Sequence, residues 1–221
     1  MRLMPRAAAP LLALLAAAAP LGASDPVLGA QFSMAFPASD LKSLAASSDG
    51  LSIGLSGLVD FGGGHALRPR LDYATFHGLD AVATGTLLPK GSALHAQASV
   101  DQFSLGADYL FGLRRSVDAG PYLLAGIGAI STHWTSDLTL TGTPAAQARM
   151  TFRKTSPYAQ VGLGWQFTPA FGLEIRQQVS TLDSDVSLEV RGAGGQPSLA
   201  IPVATGRLNL GVTYLTAAVR F

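Results

Sequence analysis

The sequence of 221 residues contains no cysteine and few charged residues. Without cysteine the fold cannot be held by disulfide bonds, so another device must stabilise it, and closure of a sheet into a barrel is one such device. Charged residues make up 13% of the chain, and 15 Lys plus Arg are nearly balanced by 14 Asp plus Glu. Because this near balance provides no basic surface, we expect no nucleic-acid partner.

Long apolar runs are also scarce. One apolar run, 7–21, contains two prolines, follows Arg2 and Arg6, and precedes three small residues. This order is typical of a secretory signal peptide, so we predict a signal peptide at 1–24 and a mature domain at 25–221. No later stretch approaches the ~18 unbroken apolar residues of a spanning helix, so a membrane-integrated chain would have to cross by strands.

Most of the mature sequence alternates apolar and polar residues with a period of two. This pattern is typical of strands whose two faces meet different environments. Eight stretches show it, and six of them have the roughly 9–11 residues that a tilted strand needs to cross a bilayer. They are 28–36, 51–61, 67–73, 103–111, 121–131, 158–167, 171–180 and 208–221.

The last of these stretches has one irregularity. Leu215 and Val219 share a face with the terminal Phe221, whereas Leu208, Leu210 and Val212 lie on the opposite parity. To keep all these apolar residues on one face, we predict a β-bulge near 213–214.

The segments that connect the eight stretches alternate between long and short. In an up-and-down barrel with both termini in the periplasm, long loops lie outside and short turns lie inside. We therefore predict an all-β fold, an eight-stranded antiparallel up-and-down transmembrane β-barrel. Two of the long outer connections, 133–155 and 182–206, themselves contain alternating residues, which predicts hairpins that prolong the membrane strands outward.

Aromatic residues cluster at the ends of the predicted strands. Rings at both interfaces with the bilayer are typical of membrane barrels, so we predict two aromatic girdles. The periplasmic girdle would contain Phe61, Phe111, Phe167, Phe171 and Phe221, and the outer one Phe36, Phe76, Trp134 and Phe152.

Eight charged residues lie on the inner parity of the strands, four acids and four arginines. In a low-dielectric lumen they must be paired, so we predict an Arg–carboxylate network that plugs the periplasmic half of the barrel. Inward glycines and serines would leave the middle of the lumen roomier, and a gated or proton-conducting path is the alternative reading. The predicted network contains Asp60, Arg68, Arg70, Asp72, Asp108, Glu174, Arg176 and Arg220.

The stretches Pro121–Gly128 and Phe171–Arg176 and the terminal Phe221 resemble the small eight-stranded outer-membrane barrels of OmpA and OmpX type. The resemblance covers roughly Val27 to Phe221. It implies a location in the bacterial outer membrane, contact with outer-membrane lipid, and a C-terminal signal, with Tyr214 and Phe221, that hands the chain to the barrel-insertion machinery. It says little about activity, since such barrels serve many functions.

Candidate catalytic and metal-ligating residues are few. The four histidines do not show metal-ligand spacing, and we expect no metal, cofactor or catalytic site. One exception is His133, which is followed by Thr135 and Asp137. This spacing resembles that of outer-membrane lipid A deacylases, which have a His and a Ser two residues apart on a strand. Here Thr replaces Ser, which departs from that pattern.

The sequence thus favours a non-enzymatic outer-membrane barrel with a structural or surface-interaction role and a possible extracellular protein partner at its outer loops. A narrow porin-like channel for small solutes is the alternative, followed by an outer-membrane lipid-modifying enzyme.

Overall fold

The computed structural model describes residues 26–45, 49–78, 81–83, 93–141, 146–192 and 199–221. The predicted signal peptide lies outside the described residues and stays a prediction. Among the described residues, no helix has the length and apolarity needed to cross a membrane.

The described chain consists of strands and one short helix. Each of the eight predicted strands falls almost entirely within one observed strand, and one additional short strand, β4 (Ala81–Ala83), pairs with β5 (Ala93–Gly112). The elements are β1 (Val27–Ser39), α1 (Asp40–Ala45), β2 (Gly50–Gly62), β3 (His65–His77), β4 (Ala81–Ala83), β5 (Ala93–Gly112), β6 (Gly120–Thr141), β7 (Ala146–Thr168), β8 (Phe171–Gly192) and β9 (Leu199–Arg220).

The eight long strands form a closed antiparallel ring. Neighbours in the sheet follow the order β3-β2-β1-β9-β8-β7-β6-β5, and pairing of β3 with β5 closes the circle. We start at Gly29 on β1 and step from each residue to its paired residue on the next strand. One circuit of the ring returns to β1 at Ser39, so the stagger is ten residues (39 − 29). With ordinary strand spacing, this stagger corresponds to a tilt of about 40°. The interior of such a barrel is just wide enough for side chains to fill.

The outer face of the ring is a band of exposed apolar side chains. These residues occupy alternate positions on every long strand, as the sequence pattern predicts; on the two neighbouring strands β6 and β7 they include Leu123, Ile127, Val161 and Leu163. A contiguous apolar surface of this extent is unfavourable in water and is typical of a barrel surrounded by lipid.

The predicted bulge in the last strand is wrong. From 205 to 219, β9 pairs with β8 without interruption, and the irregularity lies further out, opposite Val186 and Ser187. Leu210, Val212 and Tyr214 point inward and are buried. The same parity faces inward along the whole of this part of β9, and its residues become apolar toward the capped end because that part of the lumen is itself apolar.

The strands β5 to β9 have 20–23 residues each and are much longer than β1 to β3, which have 13 each. The predicted outer hairpins are confirmed: β6 and β7 pair from the barrel to Leu140 and Ala146, and β8 and β9 pair to Val190 and Leu199. Their outer parts also pair with each other through β7 and β8. One side of the barrel therefore continues outward as a multi-stranded sheet.

Candidate functional site: a charged layer between two apolar layers

The lumen contains an ion pair that joins opposite walls of the barrel. Arg68 on β3 donates to both carboxylate oxygens of Glu174 on β8, through Nη1 to Oε1 and through Nη2 to Oε2 at 2.9 Å. These strands are four places apart in a ring of eight. Both side chains are at least 96% buried, so the pair crosses the lumen without access to bulk water.

Further contacts complete the arrangement round Arg68. Its Nε and Nη2 atoms also donate to Oδ2 of Asp108 on β5, at 3.2 and 2.9 Å. Gln160 on β7 donates to the other oxygen of Asp108, and the Tyr122 hydroxyl on β6 donates to Glu174 at 2.6 Å. Charge-assisted bonds of this kind make a buried ion pair tolerable because they satisfy the remaining lone pairs.

A second set of contacts surrounds Asp72 on β3. Arg70 donates from Nε to its Oδ2 at 2.7 Å, and the Ser104 hydroxyl donates to the same oxygen at 3.4 Å. The guanidinium of Arg176, on β8, lies 3.5 Å from Oδ1. Arg70 Nη1 also reaches Asp108 at 3.4 Å, so the two sets are continuous.

Arg176 is the least satisfied member of this layer. Its side chain is fully buried, its guanidinium stacks 4.4 Å from the ring centroid of Tyr214, and within the described chain none of its three nitrogens has a hydrogen-bond acceptor. Both ends of the buried Gln31 amide share this state. Buried polar groups of this kind are usually bonded to ordered water, so this part of the lumen is expected to be hydrated.

Six of the eight predicted network residues thus come together in one layer, with three arginines and three carboxylates. The other two lie elsewhere. Arg220 donates to the carbonyl of Val117 at 3.1 Å and pairs with Asp118 at 3.2 Å, both in the β5–β6 turn. Asp60 accepts a hydrogen bond from the Gly62 amide at 2.8 Å, where β2 turns into β3.

An apolar layer lies below the charges, at the end of the barrel with the short turns. It is a buried cluster to which Val117 contributes by folding in from the β5–β6 turn, and Tyr122 connects it to the charged layer through its hydroxyl. The members are Leu58, Ala66, Leu110, Val117, Tyr122 and Leu124.

A larger apolar layer closes the other end of the lumen, where α1 covers the opening. Leu41 and Ala45 of α1 are completely buried, the Trp134 indole donates to the carbonyl of Leu44 at 2.9 Å, and the Asn209 amide donates to Asp40 at 2.8 Å. The helix is thereby attached to β6 and β9, and it acts as a cap.

The cap changes the assignment of three girdle residues. Phe76, Trp134 and Phe152 are buried inside the barrel, with Trp134 and Phe152 stacked at 5.5 Å, so their assignment to a lipid-facing outer girdle is wrong. Phe76 lies at the end of β3, whereas Trp134 and Phe152 lie within the longer strands β6 and β7. All three are on the inner face, where they form part of the apolar layer under α1. Phe36 alone of this group is exposed on the outside.

The other predicted girdle residues are exposed at the end with the short turns. Phe167 stacks on Phe171 at 6.0 Å, and Trp165 joins Phe167 at 6.4 Å. Phe61, Phe111 and the terminal Phe221 are exposed as well. Of the two residues of the predicted insertion signal, Phe221 points outward, whereas Tyr214 is buried beneath Arg176.

Contrary to the expectation from sequence, the inward glycines do not make the lumen roomier. A Cβ atom at Gly126 would overlap the Asp108 carboxylate, and one at Gly164 would overlap the Tyr122 ring. Glycine is therefore needed where a polar side chain of the neighbouring strand lies directly over the backbone. Tyr122 and Gln160, which the sequence reasoning missed as network members, lie on the inner parity opposite such glycines, and that is the signal that could have found them.

The residues considered for catalysis lie on the outward-facing parity of β6. His133 faces outward, and Asp137 is bound in an exposed ion pair with Arg149, at 2.6 and 3.1 Å. No group of three His, Cys, Asp or Glu in the described ranges is placed to hold a metal ion.

Several solved outer-membrane proteins have a similar structure. A major outer membrane protein from Thermus thermophilus matches with a TM-score of 0.59 and 13% identity over 90% of this chain and 100% of that one. Ail, the attachment invasion locus protein of Yersinia pestis, matches with a TM-score of 0.49 and 12% identity over 89% and 97%. Neisserial surface protein A matches with a TM-score of 0.41 and 16% identity over 90% and 97%.

Neither protein-family models nor curated protein sequences match the chain. At the identities of the solved structures, the likeness concerns the fold alone. That fold, in which eight antiparallel strands close into a ring with an apolar outer surface, is the fold of the small eight-stranded β-barrels of the bacterial outer membrane.

Proposed function

We propose that this chain is an integral outer-membrane protein with a structural or surface-interaction role, and that its lumen does not conduct solutes. The observation that carries this proposal is the layered filling of the lumen: the Arg68–Glu174 pair joins opposite strands in its middle, and an apolar layer fills each end. With the lumen filled by side chains in this way, we expect no continuous path for a hydrated ion. The activity is therefore assigned to the outer surface.

The protruding sheet is the surface assigned to this role. Pairing of β1 with β9 ends at Ser39 and Leu210, so within the described chain the outermost part of β9, from Leu199 to Thr205, shows strand pairing on its β8 side only. Unpaired backbone groups on such an edge can bind an extended segment of another protein by strand addition. The partner class is an extracellular protein that offers such a segment.

Export and insertion belong to the same proposal. A signal peptide at 1–24 and a C-terminal signal read by the insertion machinery account for the location. In the folded barrel the Phe221 amide donates to the Leu28 carbonyl at 2.9 Å, next to the closing pairs of β9 with β1. Because Tyr214 is buried after folding, its part in such a signal belongs to the unfolded chain.

The test separates the closed lumen from the surface role. Purified protein in planar bilayers should show no steady conductance steps. Cells that carry the protein should adhere to immobilised extracellular proteins, and a variant in which 187–203 is replaced by an Asn-Gly turn should insert equally, as judged by heat-modifiable gel migration, but adhere less. Equal adherence of the shortened variant would contradict the surface role.

A narrow channel remains the second candidate, and the unsatisfied Arg176 and Gln31 favour it because they indicate water in the middle of the lumen. Steady conductance that is lost or altered in Arg68→Ala would support this candidate and overturn the closed lumen.

A further inference from the structure

The outer face of the barrel has a groove that is not explained by the plug or by the protruding sheet. Its volume is about 350 Å³, within the range of small-ligand sites. Its floor is Ala125 on β6, flanked by its cross-strand partners Tyr109 on β5 and Val161 on β7. Phe111 and Leu123 line the groove toward the short-turn end of the barrel.

The groove exists because one small residue stands among large ones. Tyr109, Leu123 and Val161 are each 47–61% exposed and project from the barrel, while Ala125 between them does not. The lining is apolar, and the groove lies in the exposed apolar band. It therefore has the shape and the chemistry to accept a hydrocarbon chain that runs along β6.

The guanidinium of Arg114 lies beyond the end of the groove that is nearer the short turns. Arg114 is exposed in the β5–β6 turn, with its guanidinium carbon 6.0 Å from the ring centroid of Trp165. Trp165 pairs with Pro121, which is two residues, or about 7 Å, from Leu123 at the groove's end. Arg115 next to Arg114 is exposed as well, and the acid of the same turn, Asp118, is paired with Arg220.

We propose that this groove and the Arg114 guanidinium form a binding site for one anionic diacyl phospholipid of the leaflet at the short-turn end. One acyl chain lies over Ala125, and the phosphate pairs with Arg114, beside the Trp165 ring at the level of the bilayer interface. An anionic lipid satisfies both parts of the site, since a zwitterionic lipid supplies the same chains but no net charge for the cation. This inference rests on the proposed membrane location.

The two tryptophans of the chain make the site measurable. Trp165 is exposed beside Arg114, whereas Trp134 is buried under the cap. The full-length protein is reconstituted into phosphatidylcholine vesicles that contain phosphatidylglycerol or phosphatidylcholine brominated in the upper acyl chain, and bromine quenching of Trp165 is measured. We expect phosphatidylglycerol to bind roughly fivefold more strongly, the preference expected for one interfacial arginine.

Variants separate the two parts of the site. Arg114→Ala should bring the preference close to one, and high salt should do the same because it screens the charge. Ala125→Phe fills the groove, so the acyl chain no longer holds the phosphate beside Arg114, and the preference should fall as well. Arg153→Ala at an exposed position, and Ala217→Phe on the outward parity of β9, both away from the site, should retain it. Heat-modifiable migration of each variant verifies that the barrel is folded.

The outcomes distinguish this proposal from the membrane assignment. Equal quenching by the two brominated lipids, or an equal loss in Arg153→Ala, would overturn the lipid site while the barrel remains in the bilayer. An unchanged preference in Ala125→Phe would overturn the groove as the acyl-chain site. Absence of quenching by either lipid would instead show that Trp165 does not face a bilayer, and the proposed location would fail.

Discussion

Arg68 and Glu174 face each other across the lumen and are joined by two hydrogen bonds, one on each carboxylate oxygen. Because β3 and β8 are opposite strands of the ring, this single pair ties together walls that share no backbone hydrogen bonds. The pair therefore contributes both to closure of the lumen and to the stability of the barrel's cross-section.

Removal of one partner of this pair should be strongly destabilising. Glu174→Ala leaves Nη1 of Arg68 and the Tyr122 hydroxyl without their acceptor and leaves three buried arginines with two carboxylates. Breaking a buried ion pair in this way typically costs about 3–5 kcal/mol. Urea unfolding in lipid vesicles measures the change. Asp137→Ala is the matched control, since its bidentate pair with Arg149 is exposed and worth about 0–1 kcal/mol. Similar losses in both variants would contradict the burial argument.

The double variant Arg68→Met/Glu174→Leu should be more stable than the sum of the two single changes implies. Removing both charges leaves Arg70 and Arg176 with Asp72 and Asp108, so the layer stays neutral and no charge is stranded. A double-mutant cycle on unfolding free energies measures the coupling. Additive effects would show that the two residues do not interact in the folded protein.

Glycine at 164 should not tolerate a methyl group. Gly164→Ala would force the Tyr122 ring away from its position and loosen its bond to Glu174, with an expected loss of about 1–3 kcal/mol from overpacking. Gly211→Ala is the control, because a Cβ there would meet only ordinary contacts at 3.4–3.7 Å. If both variants unfold at the same urea concentration, the close approach at Gly164 is not a constraint.

The cap formed by α1 should open when its buried leucine is shortened. Leu41→Ala removes apolar contacts under the helix, at a cost of about 2–5 kcal/mol where the cavity remains, and should expose Trp134. In a Trp165→Phe background, acrylamide quenching of Trp134 reports the opening. Lys42→Ala, which changes an exposed residue of the same helix, should leave the quenching unchanged.

Breaking the central ion pair alone should not open a pore. In Glu174→Ala the apolar layers on both sides of the charges remain, so planar bilayers should still show no steady conductance. Discrete current steps in this variant would mean that the ion pair is the only barrier, and that the two apolar layers are permeable.

The fold was largely predictable because its cause is local. Each lipid-facing position alternates with a lumen-facing one along every strand, so the period of two is written directly in stretches such as Phe103–Phe111 and Ala159–Phe167. Six of the eight predicted lumen charges come together for the same reason. Parity alone places them inside, and a small lumen brings them within reach of one another.

The errors about which face a residue occupies have a different cause. The sequence predicts Trp134 and Phe152 at the lipid interface, and it predicts Leu210 and Val212 on the outer face by way of a bulge near 213–214. All four lie inside, under α1. The alternation along a strand shows which residues share a face, but it does not show whether the lumen at a given level along the barrel axis is polar or apolar. The polarity of the lumen near its opening depends on what covers that opening. The helix α1 covers it, but its six residues are too few to show a pattern that predicts this role.

The sequence by itself therefore determined the eight strands, their two faces and the identity of most interior charges, because these follow from alternation along a single strand. Only the tertiary structure decided which side chains meet. Because the strands are staggered by ten residues round the ring, Arg68 faces Glu174 and Asp108 lies against Gly126. For the same reason Arg220 reaches Asp118 and not the central layer. Such contacts join strands that are distant in sequence, and their geometry comes from closure of the barrel, which no single stretch encodes.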